Sequence, residues 1–292
     1  MQPIYSTTLF FLVAVALLAT SIHAAPAPVP LQPQSLTLAQ GEHQLNVPKG
    51  YELALLTDKL NRPRLLTFHP NGDLFIGSRS GNIYRLAPPY QQADVLIKLA
   101  GYPHSIAFRE GEILIARTDG LYRAPFKPGQ RQLDPAKIKL LAALPGGSGH
   151  NSRTVAVGPD GRIYLSLGIR GNCSDEYLGD DYPFNRRRGG ILVLDELGST
   201  PRWRSYASGL RNPVGFDWQP RTGIMYATNN GPDHWGYELP PEYFSRLDAG
   251  SFHGMPWFQF DGKRQRISPL AKSPDLHSMA TRRPVSPPYQ PQ

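Results

Sequence analysis

The feature that most constrains the fold is a segment that recurs four times along the chain. Each copy contains a short run of alternating apolar and polar residues, a turn with glycine, and a second alternating run. The copies are RLLTFHPNGDLFIGS (64–78), HSIAFREGEILIART (104–118), RTVAVGPDGRIYLSLG (153–168) and NPVGFDWQPRTGIMYATN (212–229). Alternation with a period of two around a glycine-containing turn is typical of a β-hairpin. The sequence therefore predicts four related hairpins.

A third short strand follows three of these hairpins, in SGNIYRL (80–86), DGLYRA (119–124) and GGILVLDE (189–196). Units of three or four strands that repeat about every 40 to 50 residues are typical of propeller blades. We therefore predict an all-β fold, a β-propeller over 42–262 with about four to five blades. A fifth blade is expected to begin at AGSFHGMPWFQFDG (249–262). The alternative is a β-sandwich whose hairpins are similar by coincidence.

Residues 1–24 are interpreted as a secretory signal peptide. The apolar run LFFLVAVALL (9–18) is too short to span a membrane, and Ala24 offers a cleavage site. The alternative is an uncleaved membrane anchor. A Pro-rich linker is predicted over 25–41. The expected location is periplasmic or secreted, with no membrane span after signal cleavage.

The C-terminal segment differs in composition from the rest of the chain. Residues 263–292 contain six Lys or Arg, six Pro and one acidic residue, Asp275. This composition predicts a basic, Pro-rich, disordered tail. The tail holds much of the net charge of +8, and no nucleic-acid-binding motif is present, so we expect no nucleic-acid partner. The sequence leaves the oligomeric state undetermined.

A single cysteine, Cys173, limits the redox chemistry of the chain. One cysteine excludes an internal disulfide, on which many secreted domains depend. Cys173 could be a free thiol, could pair between chains, or could be an incidental small residue in a polar loop.

Four ordered motifs resemble the soluble quinoprotein sugar dehydrogenases, and most of all the L-sorbosone and aldose dehydrogenase branch. The motifs are GGSGHNSRTVAVGPDGRIYLSLG (146–168), YASGLRNPVGFDWQP (206–220), NNGPDHWGYELPPEYF (229–244) and AGSFHGMPW (249–257). The resemblance implies a six-bladed propeller that binds pyrroloquinoline quinone (PQQ) with Ca²⁺. It also implies oxidation of a sugar at its C1 hydroxyl or hydrate, with an external electron acceptor.

The resemblance implies that His150 is the general base that takes the proton of the C1 hydroxyl while hydride passes to the quinone. This role needs a group that titrates near neutral pH, and histidine is suited to it. The alternative is a histidine in a surface loop with no role in catalysis.

The same resemblance implies cofactor-binding residues. Arg211 and Asn212, in GLRNPVGF, match a pair that lies against PQQ. An Arg-Asn-Pro turn without a functional role is the alternative. Arg64 and His104 open the inner strands of their blades, and we expect them to line the same cavity.

Gly231 and Pro232, in NNGPDHW, match the position whose backbone carbonyls coordinate the active-site Ca²⁺. Ca²⁺ prefers oxygen ligands, which carbonyl groups supply. Two acidic pairs, Asp175-Glu176 and Asp180-Asp181, could bind a separate calcium ion or could be solvated.

Three departures from the family pattern bear on activity. Ile169 stands where some relatives have an Asp that orients the catalytic histidine, so we expect a less firmly fixed tautomer of His150. No glutamine facing the cofactor is found near 101–104. The Lys and Arg residues of the last two blades have no counterpart, which suggests a C-terminally truncated copy. Two alternatives stay open. The first is a non-catalytic or degenerate, truncated propeller that acts at most as a binding module, and the second is a calcium-dependent lactonase.

Overall fold

A computed structural model describes residues 28–172, 189–233 and 240–255, together with the backbone of two short strands at 258–260 and 265–267. The predicted signal peptide, Cys173, the two acidic pairs and most of the predicted tail lie outside these residues. Within the described residues, no helix is both long enough and apolar enough to cross a membrane.

The four predicted hairpins open four antiparallel sheets, and these form the blades of a propeller. In each blade the strands follow one another in chain order, beginning with the first strand of the repeat. Blade one contains β3 (Pro63–Phe68), β4 (Leu74–Ser78), β5 (Asn82–Leu86) and β6 (Ala93–Lys98). Blade two contains β7 (Ser105–Arg109), β8 (Glu112–Arg117), β9 (Gly120–Pro125) and β10 (Lys139–Ala143), with a 3₁₀ turn at Pro135–Lys137. The all-β propeller prediction is confirmed.

The later blades follow the same plan. Blade three contains β11 (Val155–Val157), β12 (Ile163–Leu167), β13 (Gly190–Asp195) and β14 (Arg202–Ser208). Blade four contains β15 (Phe216–Trp218), β16 (Met225–Asn229) and β17 (Tyr243–Leu247). The predicted third strands correspond to β5, β9 and β13.

Glycine is required in the hairpin turns. Gly72, Gly111, Gly161 and Gly223 all have positive φ, at 89°, 71°, 76° and 66°. Glycine adopts this conformation without the steric cost that a Cβ imposes. The turn signals in the sequence therefore correspond to a backbone requirement.

Three apolar cores lie between successive blades and pack them face to face. Phe75 and Ile83 of blade one meet Ile106 and Ile115 of blade two. Other buried side chains join blade two to blade three (Leu114, Leu121, Val155, Leu165) and blade three to blade four (Tyr164, Ile191, Met225, Leu247). Neighbours such as Ile106 and Ala107 face different cores because adjacent side chains of a strand point to opposite faces.

Three short regions depart from the sequence expectations. β1 (Leu31–Leu38) lies within the predicted linker and pairs with β2 (Gly41–Pro48). β18 (Ser251–Phe252) does not open a fifth blade, because it adds to blade three in parallel with β14. β19 (Phe258–Phe260) pairs with β20 (Gln265–Ile267), so the predicted tail contains a strand.

Candidate functional site

The candidate site lies where the first strands of the four blades begin. Hydrogen bonds connect these strand starts from blade to blade. Leu65 N donates to His104 O (3.3 Å), Ser105 Oγ donates to Arg153 O (2.8 Å), and Thr154 Oγ1 donates to Val214 O. The segments that carry Arg64, His104, His150, Arg211 and Asn212 thus follow one inner rim, as the repeat predicts.

His150 is half-buried on the loop before β11, and its ring orientation is fixed. Nδ1 lies 2.7 Å from the carbonyl oxygen of Ile169. A carbonyl oxygen only accepts, so Nδ1 carries the proton and Nε2 of the neutral ring carries the lone pair. The expectation of a poorly fixed tautomer at Ile169 is wrong, because the backbone of this residue replaces the missing carboxylate. The side chain of Ile169 is fully buried and is not involved in this hydrogen bond.

The surroundings of His150 favour its neutral form. Partial burial lowers the pKa of His150 below its ordinary value, and the nearby charges of Arg211 and Arg153 lower it further. The hydrogen bond to Ile169 and the carboxylate of Asp233 act in the opposite direction. A neutral imidazole with a fixed tautomer is the form that can accept a proton.

Gly168 brings His150 next to Asn212. A Cβ on Gly168 would lie 2.5 Å from Cβ of His150 and 2.7 Å from Oδ1 of Asn212. The same strand end is held because Ile169 N donates to Arg211 O (2.8 Å). Asn212 is itself placed by its own backbone N–H, which donates to Oδ1 of Asn229 (3.0 Å). Cβ of His150 and Oδ1 of Asn212 therefore both lie close to Gly168.

Arg211, the residue before Asn212, is buried. Its Nε donates to Asn172 O (2.6 Å), Nη2 donates to Asn172 Oδ1 (2.8 Å), and Nη1 donates to Asn230 O (3.3 Å). Nη2 also lies 3.6 Å from the exposed carboxylate of Asp233. The guanidinium thus ties together the loops at 170–172 and 230–233.

The predicted metal position, Gly231 and Pro232, is buried beside Glu242. Gly231 N donates to Oε2 of Glu242 (3.1 Å), and desolvation raises the pKa of this carboxyl. Among the described residues, nothing donates to the carbonyl oxygens of Gly231 and Pro232. No cluster of three His, Cys, Asp or Glu side chains suited to a metal occurs in the same residues. The oxygen atoms described at this position are the backbone carbonyls of Gly231 and Pro232 and the carboxylate of Glu242.

His104 is fully buried, whereas Arg64 is exposed. Nδ1 of His104 lies 3.0 Å from Arg153 O, so His104 donates to this carbonyl. Burial lowers the pKa of His104 to about 4, and the charge of Arg64 contributes. Nε2 has no hydrogen-bond partner among the described residues. His104 is therefore packed behind the rim, and its ring hydrogen-bonds to the backbone of Arg153.

Arg153 is a residue of the site that the motif search missed. It is fully buried, and its guanidinium donates to three carbonyl oxygens, those of His150 (2.7 Å), Ser152 (2.8 Å) and Pro145 (3.1 Å). The repeat contained a signal for it. Arg64, His104, Arg153 and Asn212 each stand four residues before the equivalent apolar residue of the repeat, at Phe68, Phe108, Val157 and Phe216.

No protein-family model matches the chain. Two curated proteins are similar to it in sequence. An uncharacterized protein of Borreliella burgdorferi is 24% identical over 248 residues, which cover 80% of this chain and 62% of that protein. Quinoprotein glucose dehydrogenase B of Acinetobacter calcoaceticus is 24% identical over 266 residues, which cover 72% of this chain and 53% of that protein. The match thus spans 62% and 53% of the length of these relatives.

Solved structures with similar folds come from sugar-oxidising and carbohydrate-active enzymes. A calcium structure of a Trichoderma reesei carbohydrate-active enzyme of family AA12 has a TM-score of 0.67 and 17% identity, covering 80% of this chain and 68% of that one. The PQQ domain of a Coprinopsis cinerea pyranose dehydrogenase in its holo form has a TM-score of 0.62 and 20% identity, covering 73% and 58%. The soluble aldose sugar dehydrogenase of Escherichia coli, in its apo form, has a TM-score of 0.54 and 14% identity, covering 70% and 65%. The described part of the chain therefore has the β-propeller fold found in PQQ-type sugar dehydrogenases.

Proposed function

We propose that the protein is a sugar dehydrogenase that depends on PQQ and Ca²⁺ and uses His150 as its general base. The observation that carries this proposal is the state of His150. Its Nδ1 proton is held by Ile169 O, so the unprotonated Nε2 is left to accept a proton. The similarity to glucose, aldose and pyranose dehydrogenases supports a sugar as the substrate. An aldose or a sorbosone-like sugar is the proposed class.

The proposed reaction oxidises C1 of the sugar by two electrons. PQQ, when bound, accepts the hydride that leaves C1. Nε2 of His150 takes the proton of the C1 hydroxyl or hydrate, so that a C=O bond forms as the C–H bond breaks. His150 then becomes an imidazolium, and the carboxylate of Asp233 favours this charged form. The Nδ1–H bond to Ile169 O can persist in both states, so the ring need not turn during the transfer.

The donor groups at the rim fit an acidic quinone. PQQ is a tricarboxylate, and the exposed guanidinium of Arg64 and the amide of Asn212 are donors of the kind that bind carboxylates and quinone carbonyls. Arg211, whose guanidinium contacts Asn172, Asn230 and Asp233, supports the position of Asn212 from behind. The carbonyl groups of Gly231 and Pro232 would hold Ca²⁺, as a hard cation prefers.

The cellular setting is part of the same proposal. A secretory signal over 1–24 would place the protein in the periplasm or outside the cell, where an external acceptor would take the electrons. Membership of the sorbosone branch is supported by the order of the motifs at 146–168, 206–220, 229–244 and 249–257.

A titration of the purified protein with PQQ in the presence of Ca²⁺, followed by tryptophan fluorescence, tests the proposal. We expect saturable binding that is abolished by a chelator. His150→Ala should retain PQQ affinity within about threefold and lose sugar turnover by roughly 10² to 10⁴-fold, the usual contribution of a general base. Asn212→Ala should weaken PQQ binding.

The matched control is His43→Ala, at an exposed position in the β1–β2 hairpin, which should bind and turn over like the wild type. Absence of PQQ binding by a folded wild-type protein would contradict the proposal. Unchanged turnover by His150→Ala would show that His150 is not the general base, without contradicting the proposal that the protein binds PQQ.

A further inference from the structure

Arg153 is an unusual residue to find inside a propeller, because its whole side chain is excluded from solvent. Burying a guanidinium is costly unless its donors are satisfied, and an apolar side chain of similar volume is often the more stable choice. Arg153 stands immediately before the third blade at a position that is occupied in the other repeats by Arg64, His104 and Asn212. Its burial therefore needs a reason other than blade stability.

The carbonyl groups that Arg153 binds all belong to one loop. The acceptors are Pro145 O, His150 O and Ser152 O, so the guanidinium spans the loop from its start to its end. The loop reads PGGSGHNS (145–152), and Gly147 and Gly149 have φ of 95° and 88°. Glycine loses more conformational freedom on ordering than any other residue. A loop rich in glycine is poorly ordered by itself, and the three hydrogen bonds from Arg153 hold its backbone in place.

The backbone of Arg153 ties the same loop to blade two. Its carbonyl oxygen accepts from Nδ1 of His104 (3.0 Å) and from Oγ of Ser105 (2.8 Å). A further bond joins the loop to blade two, since Oγ1 of Thr118 donates to Asn151 O (3.1 Å). The ring of His150 is held from the other side by Ile169 O in blade three. Arg153 thus connects the support in blade two to the backbone of His150.

We propose that Arg153 is the positioning residue for His150, holding the backbone carbonyl of His150 so that Nδ1 meets Ile169 O and Nε2 is left to accept a proton. His104 belongs to this support through its bond to Arg153, and its contribution is positional. The inference rests on the proposed role of His150 as base. Arg153 itself is buried behind the loop and acts through His150, so a loss of position changes turnover more than binding. A misplacement of about 1 Å can cost roughly 10²-fold in rate.

The test compares Arg153→Met with Arg153→Lys in the full-length protein, using two readouts. The first is the ¹⁵N NMR signature of the His150 imidazole across a pH titration, which reports the tautomer and the pKa without any substrate. Arg153→Met should give a mixture of tautomers and raise the pKa of His150, because a nearby positive charge is removed. The second is kinetic, where kcat should fall about 10 to 100-fold while KM for the sugar changes less than threefold.

Arg153→Lys keeps the charge but lacks the planar fork of donors. We expect this variant to fold and to keep the pKa of His150 close to its wild-type value. It should still show mixed tautomers of His150 and faster hydrogen exchange in the loop. Arg202→Met, at an exposed position on β14, is the matched control and should behave like the wild type. If Arg153→Met does not fold, Arg153→Lys decides the question by its tautomer signal.

A single tautomer and unchanged loop exchange in the folded variants would overturn the positioning role. If the wild-type protein does not oxidise sugars but the Arg153 variants still lose the single tautomer of His150, the positioning role is supported and the proposed catalysis is contradicted. The two proposals can therefore fail separately.

Discussion

The first strands of blades one and two have similar sequences but very different surroundings. Leu66 in β3 and Ile106 in β7 occupy the same position of the repeat, two residues before Phe68 and Phe108. The exposed fraction is 59% for Leu66 and 1% for Ile106. Phe68 is 62% exposed, whereas Phe108 packs on Phe75 with ring centroids 4.8 Å apart.

The difference shows that the repeat encodes apolar surfaces for two neighbours, while burial depends on the array. β7 has blade one on one face and blade three on the other, so Ile106 and Ala107 enter different cores. β3 has a blade on one side only within the described residues. At the other end, Phe244 of blade four is exposed and stacks on Tyr226 at 5.3 Å. A propeller needs closure to cover such faces.

The largest expected effect separates these two strands. Ile106→Ala should lower the free energy of unfolding by about 2 to 5 kcal/mol, since it removes a buried side chain and leaves a cavity. Leu66→Ala should change it by less than about 0.5 kcal/mol, as is usual for an exposed position. Urea denaturation of both variants gives the comparison. A loss of several kcal/mol for Leu66→Ala would show that the open face of β3 is covered in solution.

The fold could be predicted from sequence because each signal has a local cause. The alternating runs become strands, and the turn glycines are needed for positive φ. The fate of short segments could not be predicted in this way. β18 joins blade three through backbone bonds such as His253 N to Ser208 O (2.8 Å), and such bonds make no demand on side-chain type.

The candidate site could be predicted only where side chains form it. His150 and Asn212 were found through motifs, and the structure places them side by side at Gly168. The partner of His150 is a backbone carbonyl, which any residue can supply. For this reason the side chain of Ile169 wrongly predicted that His150 lacks a partner. Arg153 had a signal in the register of the repeat, but no short motif marks an arginine that will be fully buried.

The second effect concerns the pH dependence of stability. Burial lowers the pKa of both His104 and His253 to about 4. Between pH 4 and the ordinary value near 6.5, the unfolded chain binds more protons than the folded protein, so stability rises with pH in this window and falls on acidification. A shift of this size corresponds to about 3 kcal/mol per histidine.

Thermal unfolding between pH 4 and 7 measures this effect. The wild type should lose stability as the pH falls through the window, and His104→Gln should show a shallower slope there. His43→Gln, on the exposed hairpin, is the control and should follow the wild-type curve. An unchanged slope in His104→Gln would mean that the junction of blades one and two opens to water, which would extend the open region from β3 to the rim.

The smallest effect compares two tyrosine hydroxyl groups, one at each junction. The hydroxyl of Tyr102, between blades one and two, is buried without a hydrogen-bond partner among the described residues, and its backbone has a φ of 53°. The hydroxyl of Tyr164, between blades three and four, donates to Asp160 Oδ2 (2.8 Å). A buried polar group without a partner carries a desolvation cost of about 1 to 3 kcal/mol, whereas a satisfied one contributes about 1 kcal/mol.

Tyr102→Phe should therefore leave the free energy of unfolding unchanged or raise it by about 1 kcal/mol, while Tyr164→Phe should lower it by about 1 kcal/mol. Urea denaturation under one set of conditions compares the two variants. Equal losses would indicate that the Tyr102 hydroxyl finds a partner in solution. Because Arg79 lies over the Tyr102 ring at 5.2 Å, such a partner would lie near Arg79 at the junction of blades one and two. A gain in stability for Tyr102→Phe would instead mark the junction of blades one and two as the less completely satisfied side of the rim.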